Sequence, residues 1–413
     1  MSATTLMMTS TARRVKPRHS ETETHYTKTI FVSACDYLDG EGVGCVMSIY
    51  ASDEQVQEGC CRALSDSLEK FVSNSSSHRQ IGEWLRRMSN RIGSADMMVV
   101  EAMQSFPENK YIQMHGCTII FNLASLAPST TYFIQLGACS AVSAAMHAFR
   151  NEEVIQSRGV DAISAMVVDN NKCWRTLIDV EDVCDALIGA MAGFGTSEGK
   201  HLRGLIALTR VLGRQFHNTE RVMRLGVCET VIAAMRMFPG NKDIQCYALE
   251  SVQVLGNGEA VAITTFVPGG IIDLLLTAMR TYPFVYAIQT AGVYTLMRIV
   301  EQTETDLVSL VNKGLGEVVF AATNCHLHCE YRIKDVCNIV TQVLLAGRIP
   351  KEVAAKFKPR GGGSVYDAME TLRDKIRHLE NYGEKARDSM CRYIDNVSER
   401  LWNQDLEARY NSI

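Results

Sequence analysis

No apolar run in this chain approaches the roughly 18–20 residues that a membrane-spanning helix requires, and the amino terminus lacks the apolar core of a secretory signal. A strong charge of one sign is missing too. The 42 Lys and Arg and 46 Asp and Glu leave a formal charge of -4 over 413 residues, too weak a field for a dedicated nucleic-acid binder. Also lacking is the period-2 alternation of half-buried strands, which points away from β-structure. The 14 cysteines have no regular loop spacing and lie inside apolar helical runs, so they read as reduced, buried thiols and not as a disulfide framework. A reducing compartment follows, with a cytoplasmic location expected and a cytoskeletal or ciliary one as the alternative. Acidic residues are absent before Glu21, and the opening "MSATTLMMTSTARRVKPRHS" is rich in Ser, Thr and Arg. Residues 1–29 read as a disordered or extended tail, a transit peptide or nuclear signal being the other reading. The apolar fraction of 46% and charged fraction of 21% nevertheless call for a packed core.

What is present is a phrase said repeatedly. "AAMRMFPGNKDIQCYALESVQVL" begins at Ala233, and "EAMQSFPENKYIQMHGCTIIFNL" begins at Glu101: a small-Met pair, an aromatic three residues on, a turn, then Ile-Gln before a new apolar helix. The Met column runs Met47, Met103, Met146, Met191, Met235 and Met279, ending in Thr323, with gaps of 56, 43, 45, 44, 44 and 44 residues. The aromatic column is Tyr50, Phe106, Phe149, Phe194, Phe238 and Tyr282, with His326 in the last copy. A small residue in the following helix repeats as Cys60, Gly116, Gly159, Gly204, Ala248, Gly292 and Cys337, so separate columns give one period.

Inside each copy the steps are helical. Val231, Ile232, Met235 and Phe238 form one stripe, and Ile112, Gly116, Ile119, Ile120 and Leu123 another. Each copy therefore reads as a pair: a Met-bearing helix, here helix A, and a partner, helix B. Pro107 and Pro239 follow the aromatic position, while Gly137, Gly226, Gly270 and Gly314 stand ahead of helix A, where a left-handed or tightly packed backbone suits glycine. Asp182 replaces that glycine in one copy. One pair cannot bury its own apolar face, so the copies are expected to stack into a continuous, gently curved core.

A period near 44 falls in the window of armadillo and HEAT repeats, and "IQMHGCTIIFNLA" with the units around it resembles that superfamily. The resemblance implies an all-α, armadillo/HEAT-like alpha-solenoid superhelix whose inner face binds partner proteins. It spans residues 30–346, about seven units of 43–45 residues with an insertion near 71–93 ("SNSSSHRQIGEWLRRMSNR"). Two columns beside the Met, Cys45, Glu101, Ala144, Gly189, Ala233, Thr277 and Ala321, then Ile49, Ser105, Ala148, Gly193, Met237, Thr281 and Cys325, point away from the core stripe and are nearly uncharged. Crowding on the inside of a curve is one reason for small residues there; a groove for an apolar or helical partner is the other. The Trp and Asn ladder of the nuclear-cargo importers is missing: the Asn column reads Asp66, Asn122, Ala165, Arg210, Val254, Arg298 and Val343. Asn122, Arg210 and Arg298, with Met237, Arg236 and Arg280 of the Met-bearing helices, are the candidate partner contacts, a solvated helix face being the plainer reading.

After a Pro/Gly linker at 347–363, residues 364–413 carry apolar positions stepping by threes and fours: Met369, Leu372, Ile376, Leu379, Gly383, Ala386, Met390, Tyr393 and Val397. This is coiled-coil-like heptad spacing, open to self-association or partner pairing, to docking on the repeats, or to a helical hairpin, since Gly383 weakens a single helix. "GTSEGKH" at 195–201 fails the phosphate-loop pattern, because residue 194 is Phe and Lys200 is followed by His. "CHLHC" supplies Cys325, His326, His328 and Cys329, ligand types zinc accepts, but His326 belongs to the aromatic column and five consecutive residues rarely wrap a tetrahedral ion. No nucleophile sits in a recognisable elbow. The expectation is a non-enzymatic scaffold without a cofactor, the alternatives being a structural part of a cytoskeletal or ciliary assembly and a metal protein or enzyme using the 325–329 cluster.

Overall fold

The computed structural model describes residues 40–74, 95–126, 131–167, 180–213, 219–258, 266–302, 304–326, 330–340, 356, 359, 364–378 and 384–410. The tail at 1–29, the insertion beyond Asn74, most of the linker and the side chains of the 325–329 cluster lie outside them. The described residues form nineteen helices and no strand.

The chain divides into two compact units, Met1–Ser129 and Thr130–Ile413. The first holds two A–B pairs, α1 (Gly40–Ile49) with α2 (Glu54–Asn74) and α3 (Ala95–Ser105) with α4 (Lys110–Leu126). Within it α1 packs on α3 and α2 on α4. The second unit continues with α5 (Thr131–Gln135), α6 (Ala138–Ala148), α7 (Glu153–Met166), α8 (Val180–Gly193), α9 (Glu198–Leu212), α10 (Thr219–Arg224), α11 (Val227–Met237) and α12 (Lys242–Gly258). It goes on through α13 (Ile271–Thr281), α14 (Tyr286–Gln302), α15 (Glu304–Asn312), α16 (Leu315–His326), α17 (Glu330–Val340), α18 (Val365–Arg377) and α19 (Glu384–Tyr410). Its A helices α6, α8, α11, α13 and α16 touch in that order, and its B helices α7, α9, α12, α14 and α17 do the same. This is the solenoid-like, all-α stacking that the period demands.

Helix α13 shows how the pattern makes the element. Ile271, Ile272, Leu275, Leu276 and Met279 are buried while Asp273, Thr277 and Arg280 are exposed, one apolar stripe on a helix. Gly270 precedes it at φ 85°, a left-handed turn that a Cβ would strain; Gly137 and Gly226 hold the same place at φ 77° and 84°. Asp273 in the first turn and Arg280 in the last oppose the helix dipole. The chain leaves at Tyr282 and Pro283, and proline cannot extend the hydrogen-bonded ladder.

Two features go beyond what the sequence reading specified. Among the described residues, three copies carry a short leading helix, α5, α10 or α15, ahead of the glycine; so few residues show too little periodicity to be read as a helix. The heptad segment is two helices, α18 and α19, packed on each other. Helix α19 also packs on α17, so the hairpin extends the row of B helices by one member. Met369, Leu372 and Ile376 are buried on α18, and Met390, Ile394 and Val397 on α19. Ile394, absent from the heptad reading, is fully buried, whereas Tyr393 is half-exposed with the Lys334 ammonium 5.6 Å from its ring centre.

Candidate functional site

The junction between helix A and helix B is the most regular construction in the molecule. A helix leaves its last carbonyls without partners, and here a glutamine of helix B supplies one. Gln57, Gln113, Gln156, Gln245 and Gln289 donate through Nε2 to the carbonyls of Met47, Met103, Met146, Met235 and Met279 at 2.7–2.9 Å. The same amides donate to the carbonyls of Tyr50, Phe106, Phe149, Phe238 and Tyr282 at 2.9–3.0 Å. All five glutamines are buried. Each amide therefore spans the turn and fixes the angle between the helices.

The Met and the small residue form the packing half of this lock. A Cβ placed on Gly116, Gly159, Gly204 or Gly292 would come within 2.4–2.6 Å of a side-chain atom of Met103, Met146, Met191 or Met279. The methionine thus lies across a bare stretch of helix B, and its polarizable thioether fills the space a side chain would occupy.

In the fourth copy His201 stands where five of the other copies have Gln. Its ring is buried, its Nδ1 lies 3.0 Å from the Ser197 carbonyl, and it packs 5.1 Å from the Phe238 ring and 6.1 Å from the Phe194 ring. The Met191 carbonyl instead accepts from the Phe194 backbone N–H at 3.3 Å, a tighter final turn.

The sequence-derived contact residues are placed in this frame as follows. Arg236 donates through Nη2 to the Gly269 carbonyl, in the turn before the next A helix, and Arg280 does the same to the Lys313 carbonyl, with Glu317 4.0 Å away. On the B helices Arg210 donates to the Ser164 carbonyl at 3.3 Å and Arg298 to the Gly256 carbonyl at 3.4 Å. All four arginines therefore brace one copy against its neighbour. Asn122 is half-buried on α4. Met237 is 45% exposed in the last turn of α11. The six are spread over both helix rows and do not converge on one pocket.

Further polar ties join successive B helices. Asn109 accepts from the Ile112 N–H as a cap of α4 and donates to Glu54 of the preceding B helix at 2.9 Å; Asn241 caps α12 and donates to Glu198 at 2.6 Å. Lys200 reaches Glu153, and that pairing holds the carboxyl below its usual range. Arg203 pairs with the buried Asp161 at 2.6 Å, yet burial outweighs its pull and raises the Asp161 carboxyl. Where Asp182 replaces the turn glycine, His147 of the previous A helix lies 3.0 Å from it, in place of the arginine-to-carbonyl brace.

The glutamine role was missed by sequence reasoning. Its signal was present, because the glutamine falls ten residues after the Met and seven after the aromatic in five copies. Among the described residues no helix is long and apolar enough to cross a membrane, and no three His, Cys, Asp or Glu side chains are grouped to hold a metal ion.

No protein-family model and no curated protein sequence matches this chain. Among solved structures it is similar to the crystal structure of an engineered protein, a Northeast Structural Genomics Consortium target, with a TM-score of 0.54 and 15% identity over 87% of this chain and 89% of that one. Two more engineered-protein crystal structures from that consortium align with TM-scores of 0.46, at 14% and 15% identity, over 64% and 63% of this chain and 98% of each of theirs. The first likeness concerns the fold alone, and what it shares with this chain is stacked helices.

Proposed function

We propose that this chain is a non-enzymatic scaffold, an armadillo/HEAT-like solenoid that binds one or more partner proteins along a row of helices. The observation that carries the reading is the fate of the two columns beside the buried methionines. Cys45, Glu101, Ala144, Gly189, Ala233 and Thr277 are all exposed, as are Ile49, Ser105, Ala148, Gly193, Met237 and Thr281. Only one of these twelve carries a charge. Meanwhile the glutamines and arginines that recur in register are spent on holding copies together. Within each unit the exposed columns are thus a repeated, weakly polar surface built on helices, suited to an apolar or helical partner segment. The work is done in the cytoplasm, recognition is by shape, and no cofactor takes part.

Proximity labelling in the native cell, with the wild-type chain and an Ala144→Glu/Ala233→Glu variant, tests the reading. Both positions are exposed, so the variant's stability is expected within about 0.5 kcal/mol of wild type, while the labelled partners are lost. An unchanged partner set would remove this surface as the binding face.

A further inference from the structure

A cavity of about 290 Å³ opens between α18 and α19, on a part of the chain that the repeat does not explain. Tyr366 and Trp402 wall it with rings 5.6 Å apart, and Trp402 is about half exposed. Its polar lining is lopsided. Arg373 is already held, by Glu370 at 2.7 Å and by Asp395 at 2.7 Å, and Glu399 adds a third carboxylate. Three acids against one arginine leave an excess of two negative charges, which repels an anion. Ser398 also lines the cavity; it is 3% exposed and its hydroxyl has no hydrogen-bond partner in the protein. That oxygen is enclosed by the protein, so the exposed Glu399 carboxylate is the group an incoming side chain meets.

We propose that this cavity receives the side chain of an arginine or lysine presented by a bound partner protein. The cationic head sits by Glu399, and the alkyl stem lies against Trp402 and Tyr366. Aromatic faces attract cations, more so as water is excluded, and carboxylates beside them select a cation over a neutral isostere. The inference rests on the scaffold reading for the origin of the side chain, but the cavity can be probed without the partner.

The probe is N-acetyl-arginine amide, titrated into the full-length chain while Trp402 emission is followed, with a Trp402→Leu variant subtracting the signal of Trp84 and Trp174. A saturable change is expected for the arginine probe and none for N-acetyl-citrulline amide, its neutral isostere. Glu399→Gln, an exposed substitution, is expected to weaken the arginine response about two- to fivefold. An absent response, or an equal response to citrulline, overturns the proposal. Failure of the probe leaves the scaffold reading standing, whereas a saturable probe together with an empty partner set would remove the scaffold reading alone.

Discussion

At the scale of single residues, the glutamine amide is the polar group on which each copy's geometry turns. In the fifth copy the Met235 carbonyl receives Gln245, while the Phe238 carbonyl also accepts from the Asn241 N–H. Gln245→Ala therefore leaves mainly one buried carbonyl unmatched, and the expected loss is about 1–3 kcal/mol, read from the midpoint of urea unfolding. The cysteines make the opposite kind of statement. Burial pushes the thiols of Cys61, Cys117 and Cys139 up to about 12 from 9.0, with Glu58 adding to the effect at Cys61. Their folded values lie above the unfolded one, so the stability they lend is complete below about pH 9 and is lost as pH rises from there toward 12. Alkaline unfolding that sets in across this window is expected, and at pH 8 a thiol reagent should modify exposed Cys45 at once and these three only as fast as the fold opens. Labelling of Cys117 or Cys139 at the rate of Cys45 would contradict the burial.

At the scale of the helix, the copies are not equally secured. The end of α8 lacks the glutamine amide and closes with a tighter backbone turn, and Gly193, Gly195 and Gly199 have no side chain close to where a Cβ would sit. A helix terminus with fewer fixed partners opens at lower free energy. Amide exchange at residues 191–195 should thus be faster than at 146–150 or 235–239, where the same turn is held by Gln156 and Gln245. The arginine braces give basic residues of the repeat a role that their positions in sequence do not show. A basic residue one position after the Met looks like a surface cation in sequence, yet Arg236 and Arg280 each reach a turn carbonyl of the following copy. That carbonyl lies 33 residues away, and only stacking brings it near.

At the scale of the whole chain, the carboxyl-terminal hairpin settles at the end of the row of B helices. A stack of repeats leaves its last apolar face open unless a capping element covers it, and α19 packs on α17 with Met390, Ile394 and Val397 buried. Ile394→Glu would place a carboxylate among these side chains, an unfavourable burial that the hairpin escapes by detaching. The expected outcome is loss of exchange protection across α18 and α19 with α11 to α14 unchanged. Retained protection in the hairpin would show that α19 is not held there by its apolar face. The same variant reports on self-association: if residues 364–413 pair two chains, its mass in solution falls, and if they cap the stack, its mass stays or rises as α17 is uncovered.

The residues by themselves determined the period, the identity of helices A and B, the Met, aromatic and small columns, and the places where glycine turns the chain. These follow from local rules, since helical periodicity and left-handed glycine depend on near neighbours in the chain. Folding in three dimensions decided what the columns do: that the glutamine spans to carbonyls seven and ten residues back, that the methionine lies on a bare glycine, and that the arginines brace neighbouring copies. It also decided that the heptad spacing closes a hairpin on the last B helix, because a stripe of apolar residues states how much surface must be buried and leaves the choice of covering surface to packing.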